Sequence, residues 1–119
     1  MNRARFVEHK GKKILHVDFS GCDSTTLAPA IEEAKAVIKN LPPASAFLLT
    51  DVTNTEMSRT TSAMIKDFSS HNTPHVAASA VVGVTGLKKL IYNTVVGLTG
   101  RSISLFDSLE QAKDWLAER

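Results

Sequence analysis

The residues best suited to chemistry form a hydroxyl-rich segment, TNTEMSRTTS, over residues 53–62. It follows an apolar run that ends at Asp51, and it precedes apolar residues at helical spacing, so it is predicted to open a helix. The free N–H groups at a helix start favour a phosphate, either bound or attached to a hydroxyl. The candidate phosphorylation or anion site is therefore Ser58, Arg59 and Thr60. The alternative is that Ser58 or a neighbour only caps the helix.

A second candidate site is the apolar segment over residues 87–98. Once Val96 is counted, apolar residues at helical spacing cover more than half of its circumference. Because Lys88 and Lys89 lie near its start, this helix could line a pocket for an apolar ligand or rest on a membrane surface. Alternatively it packs on a sheet, with Val96 partly exposed or facing a second copy in a homodimer. The candidate contact residues are Leu87, Leu90, Ile91, Val95 and Leu98.

The remaining reactive groups indicate no catalytic site. The four histidines lack the spacing of metal ligands, and Pro74 is expected to keep His71 and His75 on different faces. The single cysteine, Cys22, excludes an internal disulfide and is interpreted as a small buried residue. The glycines of residues 83–86 lack a full phosphate-binding motif and are interpreted as turn geometry. We therefore expect a binding protein that is not an enzyme and has no metal and no cofactor.

The elements that must position these groups alternate between strand and helix periods. Two strands joined by a turn at Lys10-Gly11-Lys12 precede a helix, and three further strand–helix pairs follow. The order β-β-α-β-α-β-α-β-α predicts an α/β domain with a mostly parallel sheet, one antiparallel edge strand and four helices. The predicted strands cover residues 3–9, 13–19, 46–51, 75–84 and 101–106, and the predicted helices cover 27–41, 58–71, 87–98 and 108–116.

Proline and tryptophan give sharper expectations about two of these helices. Pro29 is expected in the first turn of its helix, which Asp23, Ser24 or Thr25 can cap. The last helix opens with the capping pattern S-x-x-Q from Ser108. It is expected to bury Leu109, Ala112, Trp115 and Leu116, the last two beside Phe106 and Val81.

Length and charge limit the partners. A chain of 119 residues is expected to form one domain over residues 1–119. Its net charge of +2 is too weak to indicate nucleic acid as a partner. The basic start has no apolar stretch behind it, unlike a secretory signal, and the longest nearly apolar run, residues 76–84, is shorter than the ~20 residues of a membrane span. We therefore expect a cytoplasmic protein.

Short motifs in the last third of the chain resemble those of SpoIIAA-like proteins. They are VAASAVVG at residues 76–83, SLFD at 104–107 and AKDWL at 112–116. The SpoIIAA-like proteins are a branch of the STAS fold group, which also contains anti-sigma-factor antagonists. The resemblance covers the element order of essentially the whole chain and implies a STAS-like fold. It also implies a binding module for an apolar ligand or a membrane surface.

The loop after Asp51 carries a second resemblance, to the anti-sigma-factor antagonists. Their phosphorylated D-S-S-G motif, aligned without gaps from Asp51, falls on the residues RTTS at 59–62. Thr60 takes the phosphoacceptor position, while Arg59 replaces the aspartate and Ser62 replaces the glycine. The alternative function implied here is a regulatory protein that binds a protein partner and is switched by phosphorylation near Thr60.

Overall fold

Five strands form one sheet and follow one another across it in chain order. The computed structural model describes residues 3–84 and 103–119. The strands are β1 (Ala4–His9), β2 (Lys12–Asp18), β3 (Ala46–Asp51), β4 (Val76–Val82) and β5 (Ser104–Phe106). β1 pairs antiparallel with β2, and the other neighbouring strands are parallel. The predicted mixed sheet with an antiparallel edge strand is confirmed.

Three α-helices lie within the described part of the chain. They are α1 (Ser24–Ile38), α2 (Arg59–Asn72) and α3 (Leu109–Ala117), and a 3-10 helix over Thr73–His75 follows α2. The helix predicted over residues 87–98 lies outside the described residues. Within residues 3–84 and 103–119, no helix combines the length and the apolar character needed to cross a bilayer.

The β1–β2 hairpin depends on a two-residue turn. Lys10 and Gly11 both have positive φ, 51° and 80°, as a tight turn between twisted antiparallel strands requires. The pairing runs from Ala4 opposite Val17 to His9 opposite Lys12. The turn therefore lies at the end of the sheet where the parallel strands begin.

The start of α1 differs from the expectation drawn from Pro29. Asp23 caps the helix, because its side chain accepts bonds from the backbone N–H groups of Thr25 and Thr26. This cap starts α1 at Ser24, so Pro29 lies in the second turn of the helix and not in the first. The capping residues determine where the helix begins, and the helix accommodates a proline one turn later than expected.

Helices cover the sheet on both faces and divide the core into two layers. On one face, α1 and α2 bury Leu27, Ile31, Ile38, Ile65 and Phe68 against residues of β2, β3 and β4. On the other face, α3 buries Ala112 and Leu116 against Ile14, Leu49, Ala80 and Val82. β3 is buried on both faces, as its continuous apolar run predicts: Leu48 belongs to the first layer and Leu49 to the second.

The packing expected around Trp115 is partly wrong. Leu116 is fully buried, whereas Trp115 and Leu109 are only half-buried. The Trp115 ring contacts Phe106, at 5.5 Å between ring centroids, as expected. Trp115 was also expected beside Val81, but Val81 faces α1 and α2 on the other side of the sheet. Side chains alternate along β4, so Val82 lies on the same side as Trp115.

Candidate functional site

The carboxyl edge of the sheet, formed by the loops after β2, β3 and β4, holds two neighbouring aspartates. Asp18 and Asp51 pair in register at the ends of β2 and β3. Asp18 Oδ1 accepts bonds from the N–H and hydroxyl of Ser20, at 2.9 and 2.5 Å. Asp51 Oδ1 accepts the equivalent bonds from Thr53, at 2.9 and 2.6 Å. Each carboxylate therefore closes its own loop.

The electrostatics of Asp18 agree with this structural role. Burial is the largest single influence and favours the neutral carboxyl, but the Ser20 bonds and the charge of Arg3 outweigh it. The pKa of Asp18 is consequently lowered from its ordinary value. An ionised aspartate that already accepts two bonds is well suited to holding a loop.

The start of α2 carries hydrogen-bonded hydroxyl groups and an exposed one. Ser58 Oγ accepts the Thr61 N–H at 3.1 Å, and the Thr61 hydroxyl donates to the Glu56 carbonyl at 2.9 Å. The side chain of Thr61 is fully buried. Thr60 and Arg59 are exposed in the first turn. Ser58 therefore caps the helix, and Thr60 presents the accessible hydroxyl of the candidate anion site.

Gly83 allows two loops of the carboxyl edge to touch. Its φ is +95°, and a Cβ built at this position would lie 2.5 Å from the backbone nitrogen of Thr53. The glycine after β4 is thus required by positive φ and by close backbone approach. The rest of the loop over residues 85–86, together with the candidate residues Leu87, Leu90, Ile91, Val95 and Leu98, lies outside the described residues.

His16 lies below the carboxyl edge, on the face covered by α3. The residue is 6% exposed, and no hydrogen-bond partner of Nε2 is found among the described residues. Burial lowers the pKa of His16 from its ordinary value, and the positive charges of Arg5 and Lys113 add to this effect. The carboxylates of Asp18 and Asp51 oppose it. Burial thus favours the neutral form of the imidazole.

A groove occupies the opposite, amino edge of the sheet, between the β1–β2 turn and the start of β3. Its volume is about 410 Å³. We call it the amino-edge groove, and it is lined by Phe6, Gly11, Lys12, Lys13, Leu41, Ser45, Ala46 and Phe47. Sequence reasoning missed this site because its lining comes from three separate segments. The available indication was two lysines directly after the turn, close to an aromatic residue of the hairpin.

Both lysines of the amino-edge groove lie over aromatic rings. Lys12 Nζ is 4.2 Å from the centroid of the Phe47 ring, and Lys13 Nζ is 4.3 Å from that of Phe6. Lys12 also donates to the backbone oxygen of Arg119 at 2.8 Å. Phe6 is 41% exposed, a high value for a large apolar side chain. The Lys13–Phe6 pair lies on the face covered by α1 and α2, and the Lys12–Phe47 pair lies on the face covered by α3, because side chains alternate along β2.

A polar cluster links the hairpin to α3. His9 Nε2 and Asp114 Oδ1 lie 2.6 Å apart, and Lys10 Nζ lies 3.0 Å from the same oxygen. Together with Glu110, His9 and Asp114 place three potential metal-ligating atoms within 4.8 Å of one another. Histidine spacing could not reveal this cluster, because His9 and Asp114 are 105 residues apart. Since the Lys10 ammonium already neutralises Asp114, we interpret the cluster as an ionic contact between elements.

The expected separation of His71 and His75 is wrong. Their ring centroids lie 6.4 Å apart. Pro74 lies in the first turn of the 3-10 helix over Thr73–His75. The backbone therefore stays helical after α2, and the two rings remain neighbours. His75 Nδ1 lies 2.9 Å from the carbonyl oxygen of Leu41 and thereby connects this turn to the segment after α1.

The sheet order, the antiparallel edge strand and the helices on both faces define an α/β domain of the STAS-like class. The chain belongs to the SpoIIAA-like family, whose family model matches residues 4–117, essentially the whole chain. The resemblance inferred from the sequence motifs is confirmed. No match was found among curated proteins or among solved structures.

Proposed function

We propose that this domain is a non-enzymatic binding module that takes up an apolar small molecule or rests on a membrane surface. The amino-edge groove carries the proposal, because Phe6, Phe47 and Leu41 line a cavity of about 410 Å³. Ligand pockets typically have volumes of about 300–1,000 Å³ and mostly apolar linings. Membership of the SpoIIAA-like family supports a STAS-type module.

The carboxyl edge supports a role without catalysis. General acid–base catalysis requires a titratable group that can reach a substrate proton. Asp18 and Asp51 instead accept bonds from their own loops, and Ser58 caps a helix. The buried thiol of Cys22 suits a reducing compartment, and we place the module in the cytoplasm.

Native mass spectrometry of freshly purified protein tests the ligand proposal. We expect a small-molecule adduct at one per chain, and the same spectrum reports whether the protein is a homodimer. Phe6→Ser should weaken adduct retention, because it removes an exposed apolar wall without opening the core. The membrane form of the proposal predicts co-sedimentation with anionic liposomes at low salt. Protein that retains no adduct and does not sediment would contradict the proposal.

The exposed start of α2 favours a second function, a protein-interaction switch at Thr60. A phosphate there would add nearly two negative charges and three acceptor oxygens beside the exposed Arg59. The helix start would stabilise that charge by about 0.3–1 kcal/mol, so phosphorylation should leave the fold intact. The surface would change, which suits the making or breaking of a contact with a protein partner.

Phosphopeptide mapping tests the switch directly. Protein isolated from its own host should carry phosphate on Thr60 under some growth condition, with coverage of residues 51–66. Thr60→Val should abolish the modified peptide, whereas Ser62→Ala, two residues away, should not. If complete coverage repeatedly shows no phosphate, Thr60 is a helix-start residue and the switch is refuted.

A further inference from the structure

We infer that the outer edge of β1 binds β1 of a second copy of this chain, so that the two sheets join across a two-fold axis at Val7. The pairing bonds the backbone of Phe6 to that of Glu8 in the partner, and it places Glu8 beside the partner's Lys13. The inference goes beyond the ligand function proposed above and does not depend on it.

β1 leaves a short row of backbone groups free at the edge of the sheet. It is the first strand in the sheet order, and the Arg3 carbonyl accepts an N–H from the last residue of β2 at 2.6 Å. Bonding alternates along an antiparallel pair, so the backbone groups of Ala4, Phe6 and Glu8 point away from β2. The Ala4 N–H already donates to Glu33 Oε2 at 3.0 Å. Phe6 and Glu8 therefore remain open to a further strand.

The sequence of β1 does not block this edge. Edge strands are commonly protected by proline, by a bulge or by a covering element. β1 contains six residues without proline, and its register with β2 is continuous. Phe6 lies on this strand with 41% exposure. An added strand would bond the free backbone groups and cover the exposed ring.

The open groups determine the register of the dimer. Two identical strands pair antiparallel about a two-fold axis, and the axis that uses Phe6 and Glu8 passes through Val7 between them. Each Phe6 then exchanges both of its backbone bonds with the partner's Glu8. An axis at Phe6 would instead require the N–H of Ala4, which Glu33 already accepts.

Charge complementarity in this register favours a second copy as the partner. Glu8 and Lys13 are opposite one another within one chain, but the Lys13 ammonium lies over the Phe6 ring, 4.3 Å from its centroid. Among the described residues, no ion pair involves Glu8. Opposite residues of paired strands share a face, so the partner's Glu8 would lie beside Phe6 and its ammonium. Two ion pairs between the protomers follow from the symmetry.

Sedimentation velocity of the full chain over a range of concentrations tests the dimer. The wild-type protein should shift from monomer to dimer as its concentration rises. Glu8→Lys and Lys13→Glu each bring like charges together at both contacts, so each should raise the dissociation constant at least about tenfold. Glu32→Lys makes the same charge change at an exposed position on α1 and should leave the dissociation constant unchanged. Circular dichroism checks that the variants are folded.

Mixing the two charge variants separates the proposed contact from a general effect of charge. In a heterodimer of a Glu8→Lys chain and a Lys13→Glu chain, a lysine meets a glutamate at both contacts. The equimolar mixture should therefore dimerise about as tightly as the wild type, although neither variant does so alone. Native mass spectrometry with one variant isotope-labelled identifies the heterodimer.

Disulfide cross-linking locates the axis. The two Val7 Cα atoms would be directly opposite in a pair without backbone bonds, about 4.5 Å apart, which is within disulfide range. Val7→Cys should therefore cross-link two chains on mild oxidation. In Arg5→Cys the two positions would lie roughly 14 Å apart along the strands, so this control should not cross-link. The native Cys22 is buried.

Three results would overturn the inference. The first is a protein that stays monomeric at every concentration. The second is a dimer that both Glu8→Lys and Lys13→Glu leave intact, because its interface would lie elsewhere. The third is a mixture of the two variants that stays monomeric, or a cross-link in Arg5→Cys without one in Val7→Cys. None of these results bears on ligand binding, which adduct retention tests separately.

Discussion

The two edges of the parallel strands use polar residues in different ways. At the carboxyl edge, Asp18 and Asp51 bond to their own loops, and Gly83 lets neighbouring loops touch. At the amino edge, Lys12 and Lys13 contact aromatic rings around a cavity. Polar groups that already bond one another have less to gain from a ligand than the Lys13 ammonium, which lies over the exposed Phe6 ring. The comparison supports our proposal that the ligand site lies at the amino edge, while the polar groups of the carboxyl edge stabilise the fold.

The largest expected effect comes from Gly83→Ala at the carboxyl edge. The new Cβ would collide with the backbone of Thr53, and φ of +95° is itself unfavourable for alanine. We expect the free energy of unfolding to fall by about 2–5 kcal/mol, from strain and overpacking together. Gly21→Ala is the matched control, because Gly21 has φ of +70° and no atom within 4 Å of its built Cβ.

In the control Gly21→Ala, the free energy of unfolding should fall only by the cost of a left-handed backbone at alanine, about 1–2 kcal/mol. Urea denaturation of both variants measures the difference. Equal losses for Gly83→Ala and Gly21→Ala would show that the close approach between the two loops contributes nothing to stability.

A smaller effect separates the two threonines at the start of α2. Thr61→Val removes a hydroxyl of a fully buried residue that donates to the Glu56 carbonyl, so we expect the free energy of unfolding to fall by about 1–3 kcal/mol. Thr60→Val alters an exposed side chain and should change stability by no more than about 0.5 kcal/mol. Thermal unfolding compares the pair. A large loss for Thr60→Val would mean that Thr60 is structural and unsuited to a switch.

The smallest expected effect is the pH dependence contributed by His16. Its folded-state pKa is lowered from 6.5, so the unfolded chain binds the proton more readily than the folded protein. The contribution of neutral His16 is therefore present above about pH 6.5 and is lost as the pH falls below that value. His16→Gln cannot titrate and should flatten this part of the stability profile. Urea denaturation at several pH values between 7.5 and 5.5 measures the free energy of unfolding of both proteins. If that free energy varies with pH as steeply in His16→Gln as in the wild type, the assignment is contradicted.

The order of elements followed from local sequence periods, because each strand or helix imposes its own spacing on apolar residues. Apolar continuity correctly predicted that β3 is buried on both faces, where it lies between two core layers. The side of the sheet that each residue faces was harder to predict. Val81 and Val82 are both apolar, and only the strand register determines which of them reaches α3.

The candidate site was less predictable than the fold. The hydroxyl-rich segment was visible because its residues are adjacent, and local capping rules separate Ser58 from Thr60. The lining of the amino-edge groove includes Phe6 and Phe47, which are distant in sequence and are brought to the same edge only by the pairing of β1, β2 and β3. Sites assembled by strand register require the fold before their chemistry can be recognised.

Chemical-shift mapping of the labelled protein with dodecanoate tests the central comparison most directly, since it reports both edges in one experiment. We predict that amide shifts concentrate at Phe6, Lys12, Lys13 and Phe47, with little change at Asp18, Asp51 and Thr60. Saturating shifts at the carboxyl edge, with the amino edge unchanged, would contradict the account and assign ligand binding to the opposite end of the sheet.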